Sequence, residues 1–403
     1  MRPARADPQF PIPHSAFHIP QMRRVCVVTG SRSEYGILVP VLRAIKASRI
    51  LSLQLIAAGQ HLVTRAGCTV NLIHADGFPI DAEVPMVPEE DTRSGMARGL
   101  GEGVVGMTDA LQRLNPDIVL VLGDRVEPFA AAIAAAFLGK VVAHVHGGDR
   151  SQGGLDEYMR HAITKLSHLH FTATELSRKR VLALGEKPDR VFCVGSPGLD
   201  AMLHDPVPPD REIAQALGAP IPDRFILAVY HPVSTLPEQA VGEFQEMLDA
   251  LRESGIHVLL SYPNTDAGSR GIAAMIDEVA REPWVTAYRN VPRLCYLALL
   301  RRCLCLVGNS SSGMIDSPAF GIPVINVGSR QQGRERGTNV VDVSPNRLEI
   351  LRAIRRATTD QEFIADCRAT RNPYGDGHAS ERIVAVLEQI EIGPELLAKE
   401  FPF

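Results

Sequence analysis

The 403-residue sequence has no CxxC pair, no apolar run near the ~20 residues that cross a bilayer, and no excess of positive charge. Its seven cysteines, at 26, 68, 193, 295, 303, 305 and 367, are odd in number and scattered. That usage excludes a disulfide scaffold and fits reduced thiols in a cytoplasmic enzyme. Lys plus Arg number 42 against 46 Asp plus Glu, a formal net charge of −4. No global basic field therefore draws nucleic acid, and an anionic ligand has to be held by a local site. No solenoid-length repeat or low-complexity tract is present. The first 22 residues, MRPARADPQFPIPHSAFHIPQM, lack the continuous apolar core of a secretory signal and read as a disordered tail. No membrane partner is expected.

What is present is globular: 45% hydrophobic and 22% charged residues, in a length that suits two domains, each large enough for its own core. From Arg24 onward, short apolar runs alternate with helical patterns. The runs are 25–29, 53–58, 118–123, 141–146, 225–230, 257–262, 303–308 and 323–328. Helix-like stretches fall at 36–47, 126–138, 155–168, 238–253, 270–281, 312–320 and 379–390. Buried strands alternating with helices imply an α/β fold with parallel sheets and right-handed crossovers. The rhythm pauses once, at 198–224, where Pro206, Pro208, Pro209, Pro220 and Pro222 suit a linker holding a short helix. A boundary near 205 gives two Rossmann-like, doubly wound domains whose strand ends face one cleft.

Chemistry-bearing residues gather at those strand ends. The first strand leads into Gly30-Ser31-Arg32, where small residues, a helix start and a fixed charge suit a phosphate, or simply make a strand-to-helix turn. The run 118–123 delivers Gly123-Asp124-Arg125, and the next delivers His144-Val145-His146-Gly147-Gly148-Asp149, with Asp156, Glu157 and Arg160 soon after. Three carboxylates on neighbouring strand ends raise one another's pKa and form a candidate acid/base group for two proton transfers. The arginines serve equally well as their structural partners. His144 and His146, alternating along a strand, share a face, but with one aspartate they make too thin a ligand set for a metal, and none is expected.

In the second half, His231-Pro232 and Pro263-Asn264-Thr265-Asp266 follow strands, and Gly308-Asn309-Ser310-Ser311 leads into a helix start carrying Asp316. Hydroxyls and free N–H groups there form a cradle for a diphosphate, with Asp316 placed for a ribose, or the same residues cap the helix. The loop 328–337 adds Arg330, Arg334 and Arg336. Gly101-Glu102-Gly103-Val104-Val105-Gly106 spells GxGxxG, but a polar stretch rather than a strand precedes it, so its glycines are expected to pack a helix near 95–114.

The ordered set TGSRSEYG, GDR, HGGD, DEYMRHAITKLSHLHF, YHP, YPNTDAGS, GNSSSG and GSRQQGRERG resembles the hydrolysing UDP-N-acetylglucosamine 2-epimerases over about residues 24–390. The resemblance implies a GT-B architecture: a domain over 23–205, a UDP-binding domain over 206–378, and a final segment, 379–403, whose helix packs back on the first domain. It implies conversion of UDP-GlcNAc and water to N-acetylmannosamine and UDP, by anti elimination to a 2-acetamidoglucal and syn hydration, as in sialic acid synthesis. A sister group performs the same chemistry on UDP-2,4-diacetamido-2,4,6-trideoxyglucose. The remaining alternatives are a non-hydrolysing epimerase, a glycosyltransferase on the same scaffold, and an inactive UDP-sugar-binding protein. Carried over by position, Asp124, Asp149 and Asp156 handle protons, and His231 contacts the diphosphate and assists its departure. Arg32, Ser310, Ser311, Asp316 and Arg330 hold UDP, and Arg125, Arg160, Asn264 and Asp266 make sugar- or phosphate-side contacts. No cofactor is implied, and the family is commonly a homodimer or homotetramer. Two positions depart from its pattern: Asp149 and Asp316 stand where Glu is usual, each shorter by one methylene, which bears on the substrate more than on the reaction type.

Overall fold

The computed structural model describes residues 22–63, 69–87, 92–150, 155–233, 238–263, 269–289 and 291–400. Residues 1–21 of the N-terminal tail, Asn264 and Asp266 lie outside these residues. The first half runs β1 (Arg23–Thr29), α1 (Arg32–Ala47), β2 (Leu51–Ala58), α2 (Val70–Ala75), β3 (Ala82–Val84), α3 (Arg93–Leu114), β4 (Ile118–Leu122), α4 (Val126–Phe137), β5 (Val141–Val145), α5 (Leu155–Leu166), β6 (Leu169–Thr172), α6 (Glu175–Ala183), β7 (Val191–Cys193) and α7 (Pro197–His204). The second runs α8 (Asp210–Leu217), β8 (Phe225–Val229), α9 (Ala240–Glu253), β9 (His257–Ser261), α10 (Ser269–Val279), β10 (Val285–Tyr288), α11 (Arg293–Arg302), β11 (Leu306–Gly308), α12 (Ser312–Ile315), β12 (Val324–Val327), β13 (Val340–Val343), α13 (Arg347–Thr359), α14 (Gln361–Arg368), α15 (Ala379–Gln389) and α16 (Pro394–Leu397).

The strands form two sheets, ordered β3-β2-β1-β4-β5-β6-β7 and β10-β9-β8-β11-β12-β13, and every neighbouring pair is parallel. Parallel sheets need cover on both faces, which is why their strands read as near-continuous apolar runs. On β1, Val25 and Val27 pack with Leu38 and Leu42 of α1, while Cys26 and Val28 face Met107 of α3 and Ala131 of α4. A second pair of clusters brackets β8 in the same way, with Ala228 beside Phe244 of α9 and Leu227 beside Leu299 of α11. This is the two-sheet GT-B architecture.

Strand order reverses between β1 and β4 in the first sheet and between β8 and β11 in the second. At such switch points the flanking helices leave on opposite faces, opening a crevice at the carboxyl ends of the strands. The motif residues 30–32 and 123–125 sit at one crevice, and 231 and 308–311 at the other.

The stretch 198–224 holds two helices rather than one: α7 occupies its first part, and α8 the part after Pro209. The chain also returns to the first sheet at its end. Ile383, Val384 and Leu387 of α15 join the β1–α1 cluster, and buried Asp200 of α7 accepts from Ala379 N (3.0 Å) and Ser380 N (2.6 Å), two of the unpaired donors at the start of α15. The GxGxxG segment lies inside α3, where a Cβ on Gly103 would come 2.5 Å from Met86 and one on Gly106 2.8 Å from Val84. Those glycines let α3 sit close to its neighbours.

Candidate functional site

Arg160 of α5 organises the first crevice. Its guanidinium is 4% exposed and donates to the Asp124 carboxylate, to Glu157 Oε2 (2.5 Å) and to the Asp149 carbonyl (2.8 Å). One buried cation thus gathers the end of β4, the loop after β5 and its own helix. Asp124 follows Gly123, whose φ of 76° is a left-handed turn that glycine adopts freely. The sequence resemblance put Arg160 among the substrate contacts. Here its guanidinium meets the Asp124 and Glu157 carboxylates and the Asp149 carbonyl.

Asp149 is held at both oxygens: Ser177 Oγ donates to Oδ1 (2.7 Å) and His146 Nδ1 meets Oδ2 (2.9 Å). Burial works to raise its pKa, but His146, Ser177 and Arg160 outweigh it and hold the carboxyl below the usual aspartate range. Asp156 lies on the exposed side of α5. Desolvation and the Asp124 charge push its carboxyl above the ordinary range, against the pull of Arg160 and Arg125. Two carboxyls at the first crevice are thereby driven in opposite directions.

The expected same-face pairing of His144 and His146 does not occur. His144 is fully buried in β5, with Nε2 at 2.8 Å from the Gly123 carbonyl and Nδ1 at 3.2 Å from Thr164 Oγ1. His146 lies past the strand end with φ 65°, which breaks the alternation and turns its ring to Asp149. Among the described residues, no group of three or more His, Cys, Asp or Glu could hold a metal ion.

At the second crevice Asn309 is the clasp. Its side chain is buried, accepting from His231 N (2.8 Å) and donating to His231 O (2.8 Å), so the ends of β8 and β11 are locked side by side. The Asn309 carbonyl in turn accepts from Arg330 Nη1 (3.1 Å) and Gln331 Nε2 (2.8 Å) on the loop after β12. His231, Ser310, Ser311 and Arg330 are thus brought together, all partly exposed. Asp316 sits deeper: its side chain is 7% exposed, at the end of the short α12, with Arg293 Nη2 donating to Oδ1 (3.3 Å). Arg32 is exposed at the first position of α1, and Arg125 stands at the N-cap of α4 with Nε 3.3 Å from Glu127 Oε2.

Residues 43–388 match the protein family described as UDP-N-acetylglucosamine 2-epimerase. The chain belongs to this family. It is 37% identical over 378 residues to the UDP-N,N'-diacetylbacillosamine 2-epimerase (hydrolyzing) of Legionella pneumophila, covering 94% of this chain and 99% of that protein. It is 30% identical over 374 residues to the UDP-N-acetylglucosamine 2-epimerase of Neisseria meningitidis serogroup B, with coverage of 92% and 96%. The crystal structure of UDP-GlcNAc 2-epimerase from Neisseria meningitidis bound to UDP-GlcNAc shares the fold, at a TM-score of 0.74 and 19% identity, covering 90% of this chain and 99% of that one.

This member of the epimerase family carries a buried acidic pair under the first crevice that the sequence motifs do not single out. Glu34 accepts from Gly30 N (3.0 Å) and Ser31 Oγ (3.2 Å), and Glu127 is wedged against two glycines. A Cβ on Gly30 would lie 2.6 Å from Glu127 Cβ, and one on Gly59 2.3 Å from its Oε1. The signal was available in those glycines, each ending a strand where a buried neighbour needs room. Burial first, and then the Glu127 charge, pushes Glu34 up to about 8. Opposite it, burial depresses His61 to about 4, and likewise His144 to about 3 and His168 to about 4.

These shifts set an acid limit. The three histidines are neutral when folded and titrate near ~6.5 when unfolded, so their stability is full above that pH and is lost as pH falls toward 4. Glu34 works in the other sense, contributing stability below ~4.3 that disappears as pH rises to about 8. Between pH 6.5 and 4.5 the histidines outweigh Glu34, so unfolding takes up protons and stability falls as the pH falls. We expect the melting temperature to fall steadily across that window. A flat profile there would contradict the buried neutral histidines.

Proposed function

We propose that the protein is a hydrolysing 2-epimerase of a UDP-linked 2-acetamido sugar, releasing UDP and the free sugar inverted at carbon 2. The observation that carries this reading is the arrangement of carboxylates and anion-binding groups at the switch points of two parallel sheets. Asp124, Asp149 and Asp156 gather at one, and His231, Ser310, Ser311 and Arg330 at the other. Carbon 2 bears no activating carbonyl, so simple proton removal is not accessible. Elimination avoids the problem: the bond from carbon 1 to the diphosphate oxygen breaks while a carboxylate takes the carbon 2 proton, leaving a 2-acetamidoglucal and UDP. Hydration then places hydroxide at carbon 1 and a proton at carbon 2 on the opposite face. The sequence is redox-neutral and calls for two proton-handling groups plus stabilisation of the departing diphosphate.

Asp124, fixed by Arg160, together with Asp149 and Asp156 are the proton-handling groups in this scheme. His231 with Arg330, the two serines and Arg32 receives the diphosphate, and Arg125, Asn264 and Asp266 serve the sugar side. Asp316, tied to Arg293, supports the nucleotide from behind. Six free cysteines among the described residues support a reducing, cytoplasmic setting.

UDP-GlcNAc, giving N-acetylmannosamine, is the first substrate reading. The higher identity to the Legionella pneumophila relative, 37% against 30% for the Neisseria meningitidis relative, favours the diacetamido sugar over that reading. Steady-state UDP release from both sugars in parallel decides between them. We expect kcat/KM for UDP-N,N'-diacetylbacillosamine to exceed that for UDP-GlcNAc by at least ~10-fold, the discrimination a pocket built to hydrogen-bond an extra amide provides. A preference for UDP-GlcNAc would restore the first reading.

A further inference from the structure

We propose that Glu335, on the loop after β12, is a positioning residue for Asp149 on the other domain, acting through Thr174 and Ser177. The proposal rests on the epimerase reading, in which Asp149 handles a proton. Glu335 is the one acid among the arginines of 329–337. Its neighbours face their own domain: Arg330 reaches Asn309 O (3.1 Å), and Arg336 reaches Gln331 O (2.6 Å) and the Asp342 carboxylate. Glu335 instead crosses to the first domain and accepts from the Thr174 hydroxyl. Its own carbonyl accepts from Tyr374 Oη (3.2 Å), and the Tyr374 carbonyl accepts from Ser196 N (2.7 Å), so the crossing is held at backbone and side chain.

Proton accounting gives the contact a direction. Thr174, 1% exposed, caps α6 by accepting from Ser177 N (3.0 Å). Its single hydroxyl proton is shared between the Glu335 carboxylate and Ser177 Oγ, 3.0 Å away, and the charged acceptor draws it from the serine. Ser177, also 1% exposed, directs its own proton to Asp149 Oδ1 (2.7 Å). Gly148 allows the approach, since a Cβ there would lie 2.2 Å from Ser177 O. When the Glu335 carboxylate is absent, the Thr174 proton turns to Ser177 Oγ, and a hydroxyl that accepts donates more strongly. Asp149 is then held tighter and becomes a poorer base. Docking of Glu335 therefore frees Asp149 for chemistry when the two domains meet. His146, Arg160 and Tyr374 also face the same carboxylate.

The test compares Glu335→Ala, Glu335→Gln and Asp149→Asn/Glu335→Ala in steady-state kinetics with the UDP-sugar the wild type turns over. Glutamine keeps an acceptor for Thr174 and alanine does not. We expect Glu335→Ala to lower kcat ~10-fold with KM within ~2-fold, and Glu335→Gln to stay within ~3-fold of wild type. On the Asp149→Asn background Glu335→Ala is expected to add nothing further, because the relay has no carboxylate to act on. Unchanged kcat in Glu335→Ala, equal losses for alanine and glutamine, or additive losses with Asp149→Asn would each overturn the relay. A wild type that releases no UDP from either sugar would instead defeat the proposed function.

Discussion

Asparagine at position 124 is expected to lower kcat by roughly 10³-fold while leaving UDP affinity within ~2-fold of wild type. Asp124 lies just past the end of β4 at the first crevice, whereas the Asn309–His231 clasp, the proposed diphosphate site, lies at the second. The amide keeps the shape and the acceptor oxygen facing Arg160, and Glu157 and the Asp149 carbonyl still hold the guanidinium. What disappears is negative charge. In the proposed mechanism that charge serves the chemistry at carbon 2, and after burial it is the next cause that raises the Asp156 carboxyl. Rates by product analysis and UDP affinity by calorimetry separate the two effects. Retention of more than about a tenth of wild-type kcat would remove Asp124 from the chemistry.

The second large effect is structural and sits at the other switch point. Gly308 has φ 133°, and a Cβ built there would lie 1.9 Å from the Val229 carbonyl oxygen and 2.7 Å from its carbon. Those are backbone atoms of β8 and cannot swing aside as a side chain would. The Val229 carbonyl also accepts from Asn309 N (3.1 Å), so moving it loosens the clasp on His231. Gly308→Ala is expected to destabilise the fold by more than ~3 kcal/mol and to abolish protection by UDP in thermal melts. Gly77→Ala is the control. Gly77 has φ 74°, but an added methyl would meet nothing within 4 Å, so its cost is limited to left-handed backbone strain of ~1–2 kcal/mol. Equal effects of the two substitutions would mean that the contact with Val229 is not what demands glycine.

The core strands were legible because parallel strands covered on both faces become uninterrupted apolar runs. VCVVT at 25–29 and IVLVL at 118–122 are buried along almost their whole length. Among the strands that escaped notice, AEV at 82–84 and VVDV at 340–343 are short edge strands where exposed positions and charges dilute the pattern, while LHFT at 169–172 is interior and buried but only four residues long. The motifs at strand ends were legible as chemistry because loops after parallel strands carry function. Their internal wiring was not. Asp149 meets Ser177 28 residues away and Thr174 meets Glu335 161 residues away, distances over which periodicity carries no information. His146 misled in the opposite direction: alternation from His144 assumed that the strand continued, and the left-handed backbone at 146 ended it. Glu34 was visible only as a letter within the first motif, since no local pattern announces that a carboxylate three residues into a helix is buried against a second one.

Elimination followed by hydration at carbon 2 is the chemistry on which everything above depends, and proton NMR of a turnover in D2O reads it without intermediaries. The purified protein is mixed with UDP-GlcNAc or UDP-N,N'-diacetylbacillosamine, and the carbon 2 proton of the product is followed together with free UDP. We expect stoichiometric UDP and a manno-configured free sugar with deuterium at carbon 2, because the proton removed in the first step is not the one returned in the second. UDP accompanied by a gluco-configured sugar that keeps its carbon 2 proton would show simple hydrolysis and rule out the elimination.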